Sequence, residues 1–183
     1  MTHKELIKAC QKGNESAKKE IYQLFAGKMM GLCVRYSKNI EEAEDIFQEG
    51  FIKVFQNIKK LKDSDLLEPW MKRIFINTAI NYYHKEKKHY YHSDSESLET
   101  SHDDSESVID QISQQELLGL IEKLPQGCRI VFNLYIMEGY KHDEIAKMLE
   151  ISLGTSKSQL SRAKILLRKE LNGLGINGFI KTY

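Results

Sequence analysis

Cations and aromatic rings alternate over residues 68–91, EPWMKRIFINTAINYYHKEKKHYY, where Arg73, Lys85, Lys87 and Lys88 are interleaved with Trp70, Tyr82, Tyr83, Tyr90 and Tyr91. Aromatic faces stack on unpaired bases while cations follow the phosphate backbone, so this mixture suits single-stranded or melting DNA. Trp70, Ile74 and Phe75 fit equally well in a helix core, and Trp70 is read as core. Asn77, Asn81 and Tyr82 are the better candidates for contact. A second segment, residues 155–169, holds five bases and no acid. On a helix with Leu160 as zero and roughly 100° per residue, Ser156, Ala163 and Leu167 fall within about 60° of it, whereas Ser158, Ser161 and Arg162 fall about 100–200° away. One face therefore packs. The other offers hydroxyls and cations, as needed to approach phosphates and read base edges in a major groove. A solvated basic face on a structural helix has the same composition, so this segment alone does not decide.

Negative charge is segregated too. Residues 41–49 carry five acids and no base, residues 53–88 nine bases against four acids, and residues 93–110 seven acids with no Lys or Arg. The net charge of +1 hides these blocks, which suggest several different charged partners or faces. No Gly-rich phosphate loop is present, no Ser or Cys has a recognisable base nearby, and the six histidines form no metal-spacing cluster. Enzyme activity, a cofactor and a metal are accordingly not expected. Cys10, Cys33 and Cys128 are far apart and odd in number, which fits buried small apolar residues rather than a disulfide framework or a zinc finger. No stretch approaches the roughly 20 apolar residues of a membrane span, and the polar start MTHKELIKACQKGN lacks the apolar core of a signal peptide. A cytoplasmic protein without membrane insertion is expected.

The elements that must position these residues are helical. Only Pro69 and Pro125 interrupt a composition dominated by Lys, Glu, Leu, Ile and Ala. Ala43, Ile46, Phe47, Gly50, Phe51, Val54, Phe55 and Ile58 recur at helical spacing and predict an amphipathic helix over residues 42–57. Residues 17–36 carry a looser pattern able to pack on it. A turn at 60–64 leads into a helix over 66–88, with Pro69 tolerated in its first turn. Further on, residues 111–123 read as one helix, and Pro125 opens another that runs to Met137 and ends at Gly139. Helices over 141–149 and 155–171 are separated by a break at 150–154, the layout of a helix-turn-helix. The acidic, Ser-rich residues 93–110 cannot bury enough surface to offset their ordering entropy and read as a linker. The expected architecture is all-α: two small helical domains joined by a flexible acidic linker, with an N-terminal domain over 1–92, the linker over 93–112, a helix-turn-helix domain over 113–174 and a tail over 175–183.

Three collinear segments resemble the extracytoplasmic-function (ECF) group of RNA polymerase sigma factors. WMKRIFINTAINYY is similar to the family's WLxxIaxNxaxdyl stretch, and AEDIFQEGFIKVF to its AeDlvQevFlrvf helix. LPQGCRIVFNLYIMEGYKHDEIAKMLEISLGTSKSQLSRAKILLRKEL resembles the closing domain nearly residue by residue. The resemblance implies a sigma factor that binds core RNA polymerase and directs promoter-specific initiation. It implies that Asp45, Gln48 and Glu49 dock on the β′ clamp, that the C-terminal domain meets the β flap, and that an anti-sigma factor is a partner. It assigns Arg73, Asn77, Asn81, Tyr82 and Lys85 to the promoter −10 element, with Lys62, Asp63 and Ser64 as the loop that would hold a flipped base. Thr155, Lys157, Ser158, Ser161, Arg162 and Lys164 fall to the −35 element. Lys and Arg on a helix go to phosphates first, so more positioning contacts than base readout are expected there.

The chain departs from the family pattern at three places. Glu150 stands where Gly is usual, and a non-Gly residue at positive φ costs on the order of 1 kcal/mol. Ser156 replaces a Val on the buried stripe, and Gly50 lies on the packed side of the best helix. Both are expected to weaken packing and to leave the C-terminal domain marginal. Against the sigma reading stands a stand-alone helix-turn-helix regulator, which would need dimer symmetry or a sensor pocket and would leave residues 70–83 without a purpose. A catalytic domain with a DNA-binding appendage would need a pocket of convergent polar groups. A member that binds polymerase without opening promoters is a further alternative.

Overall fold

The computed structural model describes residues 3–90 and 114–174. Tyr91, the acidic segment read as a linker and the tail from residue 175 lie outside the described residues, and no strand occurs among those described. Contacts divide the chain into two compact units, Met1–His89 and Tyr90–Tyr183, each considered by itself.

The first unit contains α1 (His3–Gln11), α2 (Glu15–Tyr36), α3 (Ile40–Asn57) and α4 (Leu67–Tyr90), with 3-10 turns at Ile58–Lys60 and Ser64–Leu66. α1 lies ahead of the periodic segments expected from the sequence, and is a short helix that buries Leu6, Ile7 and Cys10. Asn14 and Asn39 then start α2 and α3. Their side-chain oxygens accept from the N–H groups of Ala17 at 3.0 Å and Glu42 at 2.9 Å, satisfying donors that a helix N-terminus leaves unpaired. This cap puts the start of α3 at Ile40, ahead of the expected residue 42. Phe47 and Phe51 from α3 meet Phe75 from α4 at ring-centroid separations of 6.3 and 5.2 Å, the second edge-to-face. Such pairs add about 0.5–1.5 kcal/mol to the burial of the rings themselves. Gly50 lies inside this contact, where a Cβ would be 2.4 Å from Phe75 Cε1. The expectation that Gly50 weakens the packing is therefore corrected: its missing side chain is the space that the Phe75 ring occupies.

The second unit contains α5 (Gln114–Glu122), α6 (Gln126–Phe132), a π-helical turn (Asn133–Met137), α7 (His142–Leu149) and α8 (Leu153–Gly173). The helix expected to run from Pro125 to Met137 thus changes its hydrogen bonding halfway. The Glu138 N–H donates to Asn133 O at 3.1 Å, and Gly139 at φ +77 then turns the chain. Glu150 ends α7 in the left-handed conformation (φ 52, ψ 46), as its place in the family pattern suggested. Ser152 caps α8 by accepting from the Thr155 N–H at 2.9 Å. The connection between the two helices is therefore residues 150–152, shorter than the expected 150–154. The core is built from Ile121, Leu124, Val131, Leu134, Ile145, Leu149 and the α8 stripe Ser156, Leu160, Ala163, Leu167 and Leu171. Fully buried Ser156 is not a simple loss of apolar contact, because its hydroxyl is hydrogen-bonded to His142 Nδ1 at 2.9 Å. All three cysteines are free and buried.

Candidate nucleic-acid and partner interfaces

On α3, Asp45 and Gln48 are exposed and Glu49 is half-buried. Ile52 belongs to the same face: at roughly 100° per residue, positions 45, 48, 49 and 52 span an arc of about 100°. Ile52 is 56% exposed, and on its other side it borders Lys18, Lys19 and Tyr22 of α2. Its spacing from Phe51 places it off the buried stripe, so apolar periodicity does not single it out. Glu42 does not join this face, since its carboxylate turns back to accept from the Lys38 N–H at 2.7 Å and is buried there.

Arg73, Asn77 and Asn81 follow one another at four-residue spacing on α4 and all three are exposed, as is Lys85 one step further. Tyr82 is turned away from them, roughly 180° around the helix from Arg73. Its hydroxyl donates to the Glu49 carboxylate, and the Lys85 ammonium lies 5.1 Å from its ring centroid. Burial, the Glu49 hydrogen bond and the charges of Glu49, Asp45 and Glu42 push the Tyr82 phenol up to about 12. The Glu49 carboxyl is held below its ordinary value, first by the hydrogen bond from Lys53, which pairs with it at 2.6 Å, and then by Tyr82 and Lys85. The residues assigned to polymerase and those assigned to −10 DNA thus touch through Glu49 and Tyr82.

Between α3 and α4 runs an open groove of about 620 Å³ in which Lys53, Lys60 and Arg73 face Trp70, Asn57 and Asn77. Acids are absent from its lining. Lys53 also donates to Thr78 Oγ1 at 3.2 Å, which ties its ammonium to α4. Lys53 and Lys60 were not singled out in the sequence, where they stand in a general run of bases; only the packing of α3 on α4 brings them to Arg73 and Asn77. Trp70, read as core, is half-buried and lines this groove. Lys62 and Asp63 are exposed in the connection beyond α3, and Ser64 is half-buried. The Asp63 carboxylate accepts from the Asp65 N–H at 3.0 Å and starts the second 3-10 turn. Lys87 continues the α4 surface half-buried; the side chains of Lys88 and Tyr90 lie outside the described set.

The α8 candidates form two groups. Thr155, Ser158, Ser161 and Arg162 occupy the side turned from the buried stripe, while Lys157 and Lys164 flank the stripe near α7. Thr155 Oγ1 shares a hydrogen bond with Ser152 Oγ at 2.8 Å, and Ser158 Oγ donates to Thr155 O at 3.0 Å, so both hydroxyls are held by the first turn of the helix. Burial, followed by the charges of Lys157 and Lys164, lowers the His142 imidazole below its ordinary value. Burial and Arg168 likewise lower the Lys164 ammonium. His142 is also stacked on Tyr135 at 4.5 Å, so the start of α7 is fixed against both α8 and the π-helical turn. Arg162 is close enough to Cys128 on α6 for its charge to offset part of the upward shift that burial gives that thiol.

The family model for Sigma-70 region 2 matches residues 21–89 and the model for Sigma-70 region 4 matches residues 114–167. The chain is 33% identical over 186 residues to the ECF RNA polymerase sigma factor SigW of Bacillus subtilis (strain 168), covering 95% of this chain and 99% of that protein. It is 27% identical over 175 residues to the ECF RNA polymerase sigma-E factor of Escherichia coli (strain K12), covering 90% and 91% of the two chains. Among solved structures, the sigma factor RpoE co-crystallised with the anti-sigma factor NepR from Bartonella quintana has a similar fold, with a TM-score of 0.50 at 20% identity over 84% of this chain and 96% of that one.

Proposed function

The chain belongs to the ECF family of RNA polymerase sigma factors, and on that premise we propose how its surfaces divide the work of initiation. The acidic face of α3, with Asp45, Gln48, Glu49 and exposed Ile52, docks on the clamp of the polymerase β′ subunit. Charge on this face steers the encounter and Ile52 supplies apolar contact at its centre. The α4 stripe of Arg73, Asn77 and Asn81, with the adjoining cationic groove and the loop at Lys62, Asp63 and Ser64, takes the melted −10 strand. Trp70 at the edge of the groove gives a base a surface on which to stack. The α8 surface of Thr155, Lys157, Ser158, Ser161, Arg162 and Lys164 meets the −35 element in the major groove, and the unit that carries it docks on the β flap. Cations reach phosphates there and Ser161 and Arg162 reach base edges.

The observation that carries this reading is that one small unit presents an acid-rich face with an exposed apolar residue on α3, beside a groove on the α3–α4 seam lined by Lys60, Arg73 and Lys53, the last paired with Glu49. DNA repels the first surface, and the second has the composition of a single-strand path. The protein acts through binding, without catalysis of its own. We place its work on polymerase in the cytoplasm; among the described residues no helix is long and apolar enough to cross a membrane. Family membership implies an anti-sigma partner, and the Bartonella quintana relative was crystallised with one.

With a net charge of +1, the free chain has little long-range attraction for DNA. A gel-shift titration at near-physiological salt therefore tests the proposal: the protein alone should bind promoter duplex weakly, and core polymerase should make binding tight and specific. Tight, sequence-specific binding by the protein alone would favour a stand-alone regulator instead.

A further inference from the structure

Gln11 is the last residue of α1, and its side chain serves a distant part of the chain. Its Nε2 donates to two main-chain carbonyls, Ile58 O at 3.0 Å and Leu61 O at 2.9 Å. Those carbonyls bracket the 3-10 turn at the end of α3, and Lys62, Asp63 and Ser64 follow directly. The far end of this loop is set locally by Asp63, whose carboxylate accepts from Asp65 N–H and whose carbonyl accepts from Leu66 N–H at 3.3 Å.

Leu6, Ile7 and Cys10 hold α1 on the unit by apolar contact. Apolar packing is non-directional, however, whereas one amide donating to two carbonyls fixes the direction in which both peptides point. The backbone entering the loop is thereby held from α1 while Lys62 and Asp63 remain open to solvent. We propose that Gln11 is a positioning residue for base recognition in the −10 element, setting the path of the loop so that an unpaired base meets Lys62, Asp63 and Ser64 in one geometry. The inference rests on the reading of that loop as a −10 contact, and Gln11 itself touches no DNA.

The test uses the full chain assembled with core polymerase, selecting from promoter-length duplexes of randomised sequence. Gln11→Leu removes both donors at similar volume; Gln11→Glu keeps the shape but aims a carboxylate at the same carbonyls and decides the matter if the first variant does not fold. Lys62→Ala and Ser64→Ala report which base the loop reads, and Asn77→Ala reports the α4 stripe. The Gln11 variants should lower the selected preference roughly tenfold at the position that the loop variants erase, leaving the Asn77-dependent positions and polymerase affinity unchanged. Wild-type preference in the Gln11 variants, while the loop variants erase it, overturns the proposal and leaves the reading of the loop standing. Equal weakening at every position with lost polymerase affinity also overturns it, since that is the signature of a merely structural role. Loop variants without effect at any position overturn the proposal together with the reading beneath it.

Discussion

The ring of Phe75 rests on the bare backbone of Gly50, so that a Cβ at position 50 would lie 2.4 Å from Cε1 and 2.6 Å from Cδ1 of the ring. This approach seats α4 on α3 and so sets the groove between them. Replacing Gly50 by Ala would gain about 1 kcal/mol of helix propensity but overpack the contact at a cost of about 1–3 kcal/mol. Gly50→Ala should destabilise the protein in urea denaturation, and adding Phe75→Leu should recover part of the loss. At Gly27 and Gly31 on α2 a Cβ would enter open space, with nothing within 4 Å, and Ala at either should stabilise. A stabilising Gly50→Ala would contradict the packing described.

Reversal of charge on the α3 face should separate polymerase docking from folding. Asp45→Lys with Glu49→Lys places cations where opposite charge is proposed to be recognised, and like charges set against each other are costly at such a surface. Co-purification with core polymerase should be lost while helicity by circular dichroism is kept, because both positions lie off the buried stripe; Asp45→Lys alone, which leaves the contacts of Glu49 with Lys53 and Tyr82 in place, should weaken it in the same direction. Retained polymerase binding with normal helicity would move the docking surface elsewhere.

On α8, Arg162→Ala should lower −35-dependent transcription by about 1–3 kcal/mol if a bidentate base contact is lost. Lys157, on the flank towards α7, is the better phosphate contact. Lys157→Ala should weaken binding to all sequences alike and reduce the slope of log affinity against log salt by about one. Normal transcription from a −35-dependent promoter by both single variants and the double variant would exclude α8 as the reader.

Much of this arrangement was legible in the sequence, and its gaps have physical causes. The apolar period of α3 and the buried stripe of α8 depend on one helix at a time, so spacing alone found Ala43, Phe47, Phe51, Leu160, Ala163 and Leu167. Helix α1 escaped because nine residues carry too few turns for a period to stand out. Gly50 and Ser156 were misjudged because each is explained by a partner remote in sequence, Phe75 and His142 respectively. Arg73, Asn77, Asn81 and Tyr82 came together only through the family resemblance. Four-residue spacing puts the first three on one face, whereas a single residue step rotates Tyr82 by roughly 100° from Asn81, towards Glu49. The groove needed two helices and was beyond any one-helix pattern.

Acid should loosen the C-terminal unit through His142. Burial first, and the Lys157 and Lys164 charges next, hold its folded-state value below the ordinary 6.5, so the unfolded chain binds the proton more readily. The contribution to stability is fully present above about 6.5 and is lost as pH falls through the lower folded-state value. Thermal unfolding of the wild type should therefore show a falling Tm on acidification below that point, and His142→Gln should flatten this part of the profile. An unchanged profile in the variant would assign the acid sensitivity to other groups.

Whether this protein directs initiation is measured by run-off transcription with purified core polymerase, on a template carrying a promoter selected by the reconstituted holoenzyme. A discrete transcript should appear only when core and this protein are both present, and should be abolished by Asp45→Lys with Glu49→Lys and strongly reduced by Arg162→Ala. Discrete initiation that is indifferent to the protein, or that survives all of these substitutions, would contradict this expectation.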